Sequence, residues 1–138
     1  MIVKGFAPEG TQWYLPARVV APDQVVLGND SPGDSVHNIT NIDLKVFDLN
    51  GASPETPVYT ATAITVNTLF DRTVAQGPLV DGYWVQDTIG RNFLGKITAA
   101  NFEQVGGHVY SVEYSVTLST FGMVPVDFEV ACTPRRSS

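Results

Sequence analysis

The amino-acid sequence predicts an all-β chain folded as an antiparallel sandwich, with an extended arm ahead of it. Three observations carry this. The stretch HVYSVEYSVTLSTFGMVPVDFEV, residues 108–130, alternates: Tyr110, Val112, Tyr114, Val116 and Leu118 fall on one parity, Ser111, Glu113, Ser115, Thr117 and Ser119 on the other. Side chains of a strand point to opposite faces at each step, so this pattern marks one buried and one solvated face. No 3.6-residue apolar period lasts beyond about two turns anywhere in the chain. Turn signals recur roughly every 8 to 12 residues, the spacing of short strands in a sandwich or barrel.

Taken in order, residues 1–35 scatter Pro8, Pro16, Pro22 and Pro32 among short apolar pieces. Proline lacks an N–H and sits at sheet edges, strand starts and loops, so this segment is expected to be an extended arm or edge strand. The core is expected over 36–131. Its first strand lies in NITNIDLKVFDLNG, where Ile42, Leu44 and Val46 alternate with Asp43 and Lys45 before an Asn50-Gly51 turn. VYTATAITVNTLF is rich in β-branched and aromatic residues. DRTVAQGPLVDG is broken at Gly77-Pro78 and closes at Asp81-Gly82, leading into YWVQDTIG. NFLGKITAANFEQVGG follows, with one helical turn conceivable at ITAANFEQ. The alternating hairpin then turns near Thr120, Phe121 and Gly122 and resumes with Val124, Val126, Phe128 and Val130 opposite Asp127 and Glu129. Residues 132–138 are expected to be a flexible tail whose TPRRSS is basic.

Composition limits what such a chain does. At 138 residues it fits one domain that needs no metal or disulfide staple. Charged residues make up 16% and hydrophobic ones 43%, a globular balance. A net charge of -6 and a pI near 4.6 argue against nucleic acid as a partner, which would require clustered Lys and Arg. No apolar run approaches the roughly 18 residues of a membrane-spanning helix, and the N-terminal MIVKGFAPEG lacks the apolar core of an export signal. The single cysteine, Cys132, has no intrachain partner and is expected to be incidental.

Chemistry-bearing motifs are sparse. In PGDSVHN, residues 32–38, Gly33-Asp34-Ser35 resembles the nucleophile block of GDS-type esterases, but that family places its Ser between a strand and a helix and its His far along the chain. Ser35 and His37 stand too close for the imidazole to reach the hydroxyl, so the segment reads as a turn. Two histidines and one cysteine without paired spacing give little basis for zinc or iron. Asp30 with Asp34, or Asp48 with Asn50, lacks the spacing of a twelve-residue calcium loop. No catalytic residue, cofactor or metal is therefore expected. His108 is expected to be a strand-end residue bonded to backbone. The adjacent aromatics Trp13-Tyr14 and Tyr83-Trp84 should each place one ring inward and one outward, so they read as core filler or, for the outward rings, as candidates for a protein interface or a sugar platform.

The order NFLGKITAANF, GGHVYSVEYSVTL, VPVDFEV resembles the last three strands of an immunoglobulin-like sandwich, with a jelly roll as the alternative. That resemblance implies a structural corner at Gly106-Gly107, with Tyr110 bonding back to it. The stretch VQDTIGRNFLGKITAANFEQVGGHVYSVEYSVTL also resembles small structural proteins of tailed bacteriophages, including β-sandwich decoration (cement) proteins, through Asp87, Gly90, Asn92-Phe93, the Gly-Gly pair, Tyr110 and Glu113. This implies a non-enzymatic virion protein on the capsid surface, assembled in the host cytoplasm. It would bridge neighbouring subunits of a major capsid protein and self-associate as a dimer or trimer. The alternatives are a carbohydrate- or receptor-binding module of a tail or baseplate and, third, a small hydrolase.

Overall fold

The structure, a computed structural model, describes residues 2–23, 27, 37–65 and 92–134. Among these there is no helix, and seven strands form two sheets packed as a sandwich: β1 (Ile2–Pro8), β2 (Trp13–Ala17), β3 (Ile39–Asp48), β4 (Pro57–Ala61), β5 (Phe93–Ile97), β6 (Val109–Leu118) and β7 (Gly122–Thr133). The larger sheet has the order β1-β7-β6-β3-β4, and β2 pairs with β5 in the smaller.

The alternating stretch becomes the β6-β7 hairpin, with Tyr110 opposite Val130 and Leu118 opposite Gly122. β3 joins its other side, with Leu44 opposite Tyr114 and Val46 opposite Val112. The inward parity is buried along β6, from Ile42 on β3 and from Val126 on β7, and each such apolar side chain contributes roughly 1.5–3 kcal/mol relative to exposure. Across the gap, Phe93 on β5 meets Tyr114 edge-on at 5.0 Å and stacks on Phe128 at 6.0 Å. Burial pushes the Tyr114 hydroxyl well above the usual tyrosine range.

Two features add to the expected layout. β1 lies along β7 in parallel, Ile2 opposite Asp127 and Pro8 opposite Thr133, in a sheet that is otherwise antiparallel. The segment expected as an extended arm or edge strand thus supplies β1 at the border of the larger sheet and β2, which carries the buried Trp13, Leu15 and Ala17, in the smaller. At the other end β7 continues to Thr133, and its alternation sends Cys132 into the core. The thiol is pushed up by burial and by the carboxylates of Glu9 and Asp48, which disfavours the reactive thiolate. ITAANFEQ forms no helix; Asn101 closes a turn there by accepting from and donating to the Thr98 backbone.

Candidate functional site

β1 borders the larger sheet and β2 the smaller, and a groove of about 390 Å³ runs between them. Its floor is apolar, formed by Val3, Ala7, Leu15 and Val130. Phe6, 83% exposed, and Tyr14, 39% exposed, also line it. The strand pleat explains the contrast between Tyr14 and Trp13: the first turns out to the groove and the second, 1% exposed, turns into the core. The charged residues lining the groove are Lys4 and Glu129, 3.9 Å apart. A groove of this kind holds an extended chain or a flat ligand by contact, and among the described residues that line it no nucleophile stands beside a base. Tyr83 and Trp84, the second aromatic pair, lie outside the described residues, as do Asp34 and Ser35.

The corner before β6 is tied by hydrogen bonds. The Tyr110 hydroxyl accepts from the Val105 N–H at 2.9 Å and donates to the Glu103 carbonyl at 3.2 Å. Burial raises its ionisation above the usual tyrosine value, more than the Val105 bond lowers it. Gly106 donates to the Glu9 carboxylate at 2.9 Å, and a Cβ there would stand 2.6 Å from the Pro134 Cα, so only glycine fits. Gly107, at φ +91°, takes a backbone conformation that costs other residues, and its N–H donates to the Cys132 carbonyl at 2.7 Å. The corner therefore joins the N-terminal strand, the β6 start and the β7 end. Tyr110→Phe should lower stability by about 1–2 kcal/mol, since the Val105 N–H and Glu103 carbonyl each lose a partner. Urea unfolding measures this, and an unchanged midpoint would show that the hydroxyl carries no tie.

His108 begins this corner, and its ring does more than the expected backbone bonding. Nδ1 lies 2.8 and 3.0 Å from the two Asp48 carboxylate oxygens, and Asp48 Oδ1 also accepts from the Asn50 N–H at 3.0 Å. Asn50 Oδ1 in turn accepts from the Val109 N–H, so the expected turn at residues 50–51 is locked to the β6 start. His37 is paired as well: Nε2 lies 2.9 Å from Asp23, and its ring tilts over Phe121. Among the described residues, no group of three or more His, Cys, Asp or Glu is placed to hold a metal ion. No helix among them is long and apolar enough to cross a membrane.

One buried polar residue, named in the sequence only as part of a resemblance, proves to be a structural tie. Asn92, fully buried before β5, accepts from the Val19 N–H at 2.7 Å and donates to the Val19 and Leu27 carbonyls at 2.8 and 2.5 Å. It fastens the segment after β2 to the start of β5 in the smaller sheet. Compared with known protein families, curated proteins and solved structures, the chain matches none.

Proposed function

We propose that the chain is a non-enzymatic adhesion module, most concretely a decoration protein that bridges major capsid subunits on the surface of a tailed-phage virion assembled in the host cytoplasm. The observation that carries adhesion is the groove between β1 and β2: apolar, flanked by strand edges without a neighbour among the described residues, and rimmed by exposed Phe6 and Tyr14. Exposed aromatics over an apolar floor are the composition of protein contact surfaces, and open edges accept an added strand. The virion assignment rests on the resemblance around residues 85–118. The order β7-β6-β3-β4 in one sheet with β2-β5 in the other, and the tied Tyr110, support an immunoglobulin-like sandwich over a jelly roll.

A second reading has its own observation. Phe6 and Tyr14 rim one groove, and two such rings suit stacking on a sugar, which fits a carbohydrate-binding module of a tail or baseplate. Cosedimentation separates the two. A decoration protein should pellet with assembled, expanded capsids of the encoding phage, saturate at a symmetry-related copy number and leave unassembled subunits in the supernatant. Tyr14→Ala should weaken capture by roughly 10- to 100-fold, the effect of losing an interface hot spot. Equal binding to shells and free subunits counts against the decoration reading, and absence of binding with retention on a glycan column promotes the sugar reading.

A further inference from the structure

The turn that follows β3 is built on Asn50 and Gly51, and the corner gives each a task. Asn50 Oδ1 accepts from the Val109 N–H at 2.7 Å, which ties the turn to the start of β6. Gly51 closes the turn by donating its N–H to the Asp48 carbonyl at 3.2 Å. A Cβ at Gly51 would stand 3.2 Å from Cγ and Oδ2 of Asp48, and His108 Nδ1 holds that carboxylate at 2.8 Å, so it has little room to give. The corner thus favours an asparagine followed by a glycine.

The same pair leaves the asparagine amide open to its own backbone. A side chain on the following residue shields that residue's nitrogen, and glycine has none. Of the seven asparagines in the chain, Asn50 alone precedes a glycine. It is exposed, so water and base reach it. The Val109 N–H also sits on the oxygen that takes up negative charge when the amide carbon is attacked, the place of a donor in an oxyanion hole. Against this, the turn holds the nucleophile back. The Gly51 N–H is engaged by the Asp48 carbonyl and the Asn50 N–H by Asp48 Oδ1 at 3.0 Å, and Asp48 is itself fixed by the His108 ring. Attack requires the turn to open.

We propose that Asn50-Gly51 is a self-modification site, at which Asn50 is converted to aspartate and isoaspartate, and that Asp48, held by His108, sets the rate by keeping the turn closed. Base removes the Gly51 amide proton, the nitrogen forms a bond to Asn50 Cγ, and the carbonyl electron pair moves onto Oδ1 beside the Val109 N–H. The pair returns, the Cγ–Nδ2 bond breaks, and ammonia leaves with a proton from water, which restores the base. Water then opens the cyclic imide at either carbonyl. The sum is amide and water to carboxylate and ammonium, with nothing oxidised or reduced. Aspartate places a second carboxylate close to Asp48, and isoaspartate lengthens the backbone of the turn, so both loosen the tie to β6. The inference does not depend on the adhesion reading, because the chemistry is confined to the corner.

Incubation of the full chain in warm, mildly alkaline buffer, folded and in urea, tests it, with mass spectrometry following the peptide that contains Asn50 and enzymatic methylation detecting isoaspartate. Asn50 should convert ahead of the other asparagines in both states. The folded chain should react roughly 10- to 100-fold more slowly, which is about 1.4–2.8 kcal/mol of local opening. His108→Gln, which releases the Asp48 carboxylate, should speed the folded reaction severalfold and leave the rate in urea unchanged. Gly51→Ala should suppress conversion in urea, where the fit of the new Cβ against Asp48 is of no account. Asn50→Asp, a copy of one product, should lower the urea midpoint. The proposal is overturned by another asparagine converting first, by equal rates in the two states, by a folded rate indifferent to His108→Gln, or by an Asn50 amide still intact beyond the roughly 100-fold interval.

Discussion

Asn92→Ala is expected to destabilise the fold by about 2–5 kcal/mol, a large part of the roughly 5–15 kcal/mol that holds a domain together. The reason is the company that Asn92 keeps. Its amide satisfies the Val19 N–H and the Leu27 carbonyl in a region without solvent, and alanine leaves both buried without a partner. The Val19 carbonyl is spared because the Leu27 N–H also donates to it at 3.1 Å. Each orphaned backbone group costs about 1–3 kcal/mol. Asn92→Asp is a useful companion, since a carboxylate still accepts from Val19 but cannot donate to either carbonyl. Burial favours the protonated form of the new carboxyl, so stability should be lowest at neutral pH and recover in part as pH falls through the carboxylate range. Urea unfolding with an unchanged slope gives the comparison, and a loss below about 1 kcal/mol for Asn92→Ala would show that water or repacking replaces the amide.

That residue also marks where the sequence stops being informative. Tyr110 to Val130 announces its own fold because alternation is local: each side chain's face follows from its parity, and β6 and β7 bury the predicted set apart from the half-buried Val124 beside the turn. Cys132 continues the same parity beyond Val130, so the signal for its burial was present two residues past the point where the strand was expected to end. Asn92 has no such signal. Nothing in the local pattern of NFLGK marks it for burial, and its partners are 73 and 65 positions away. Nor does IVKGFAP reveal that it lies parallel to β7, because that pairing joins Ile2 to Asp127 across nearly the whole chain. The Asp48–His108 pair is similar: β3 and β6 bring the two together across 60 positions. The candidate site was partly legible. Alternation split Trp13 from Tyr14 but could not say which ring faces inward, since that depends on how β2 sits over the larger sheet.

Trp13→Ala should accordingly cost about 3–5 kcal/mol, the range for removing a large buried aromatic, although the neighbouring Tyr14→Ala should leave stability nearly unchanged. Trp13 meets Phe102 at 5.6 Å and Tyr110 at 5.4 Å, both edge-on, and so fills the space between β2, the corner loop and β6. Truncation opens a cavity against rings that have little room to collapse, because Tyr110 is held by Val105 and Glu103. The indole is imperfectly housed, however: its buried Nε1 has no hydrogen-bond partner among the described residues. Trp13→Phe removes that unsatisfied donor while keeping most of the aromatic volume, so the two effects oppose each other and the net loss should be only about 1 kcal/mol. Thermal and urea unfolding of the three variants, read beside capsid cosedimentation, assign the two adjacent residues to different tasks. Trp13→Phe should bind as the unaltered chain does, and Tyr14→Ala should unfold as it does but bind poorly. A Trp13→Ala variant of undiminished stability, or a Trp13→Phe variant that folds normally yet fails to bind, would place the indole at the contact surface instead of the core.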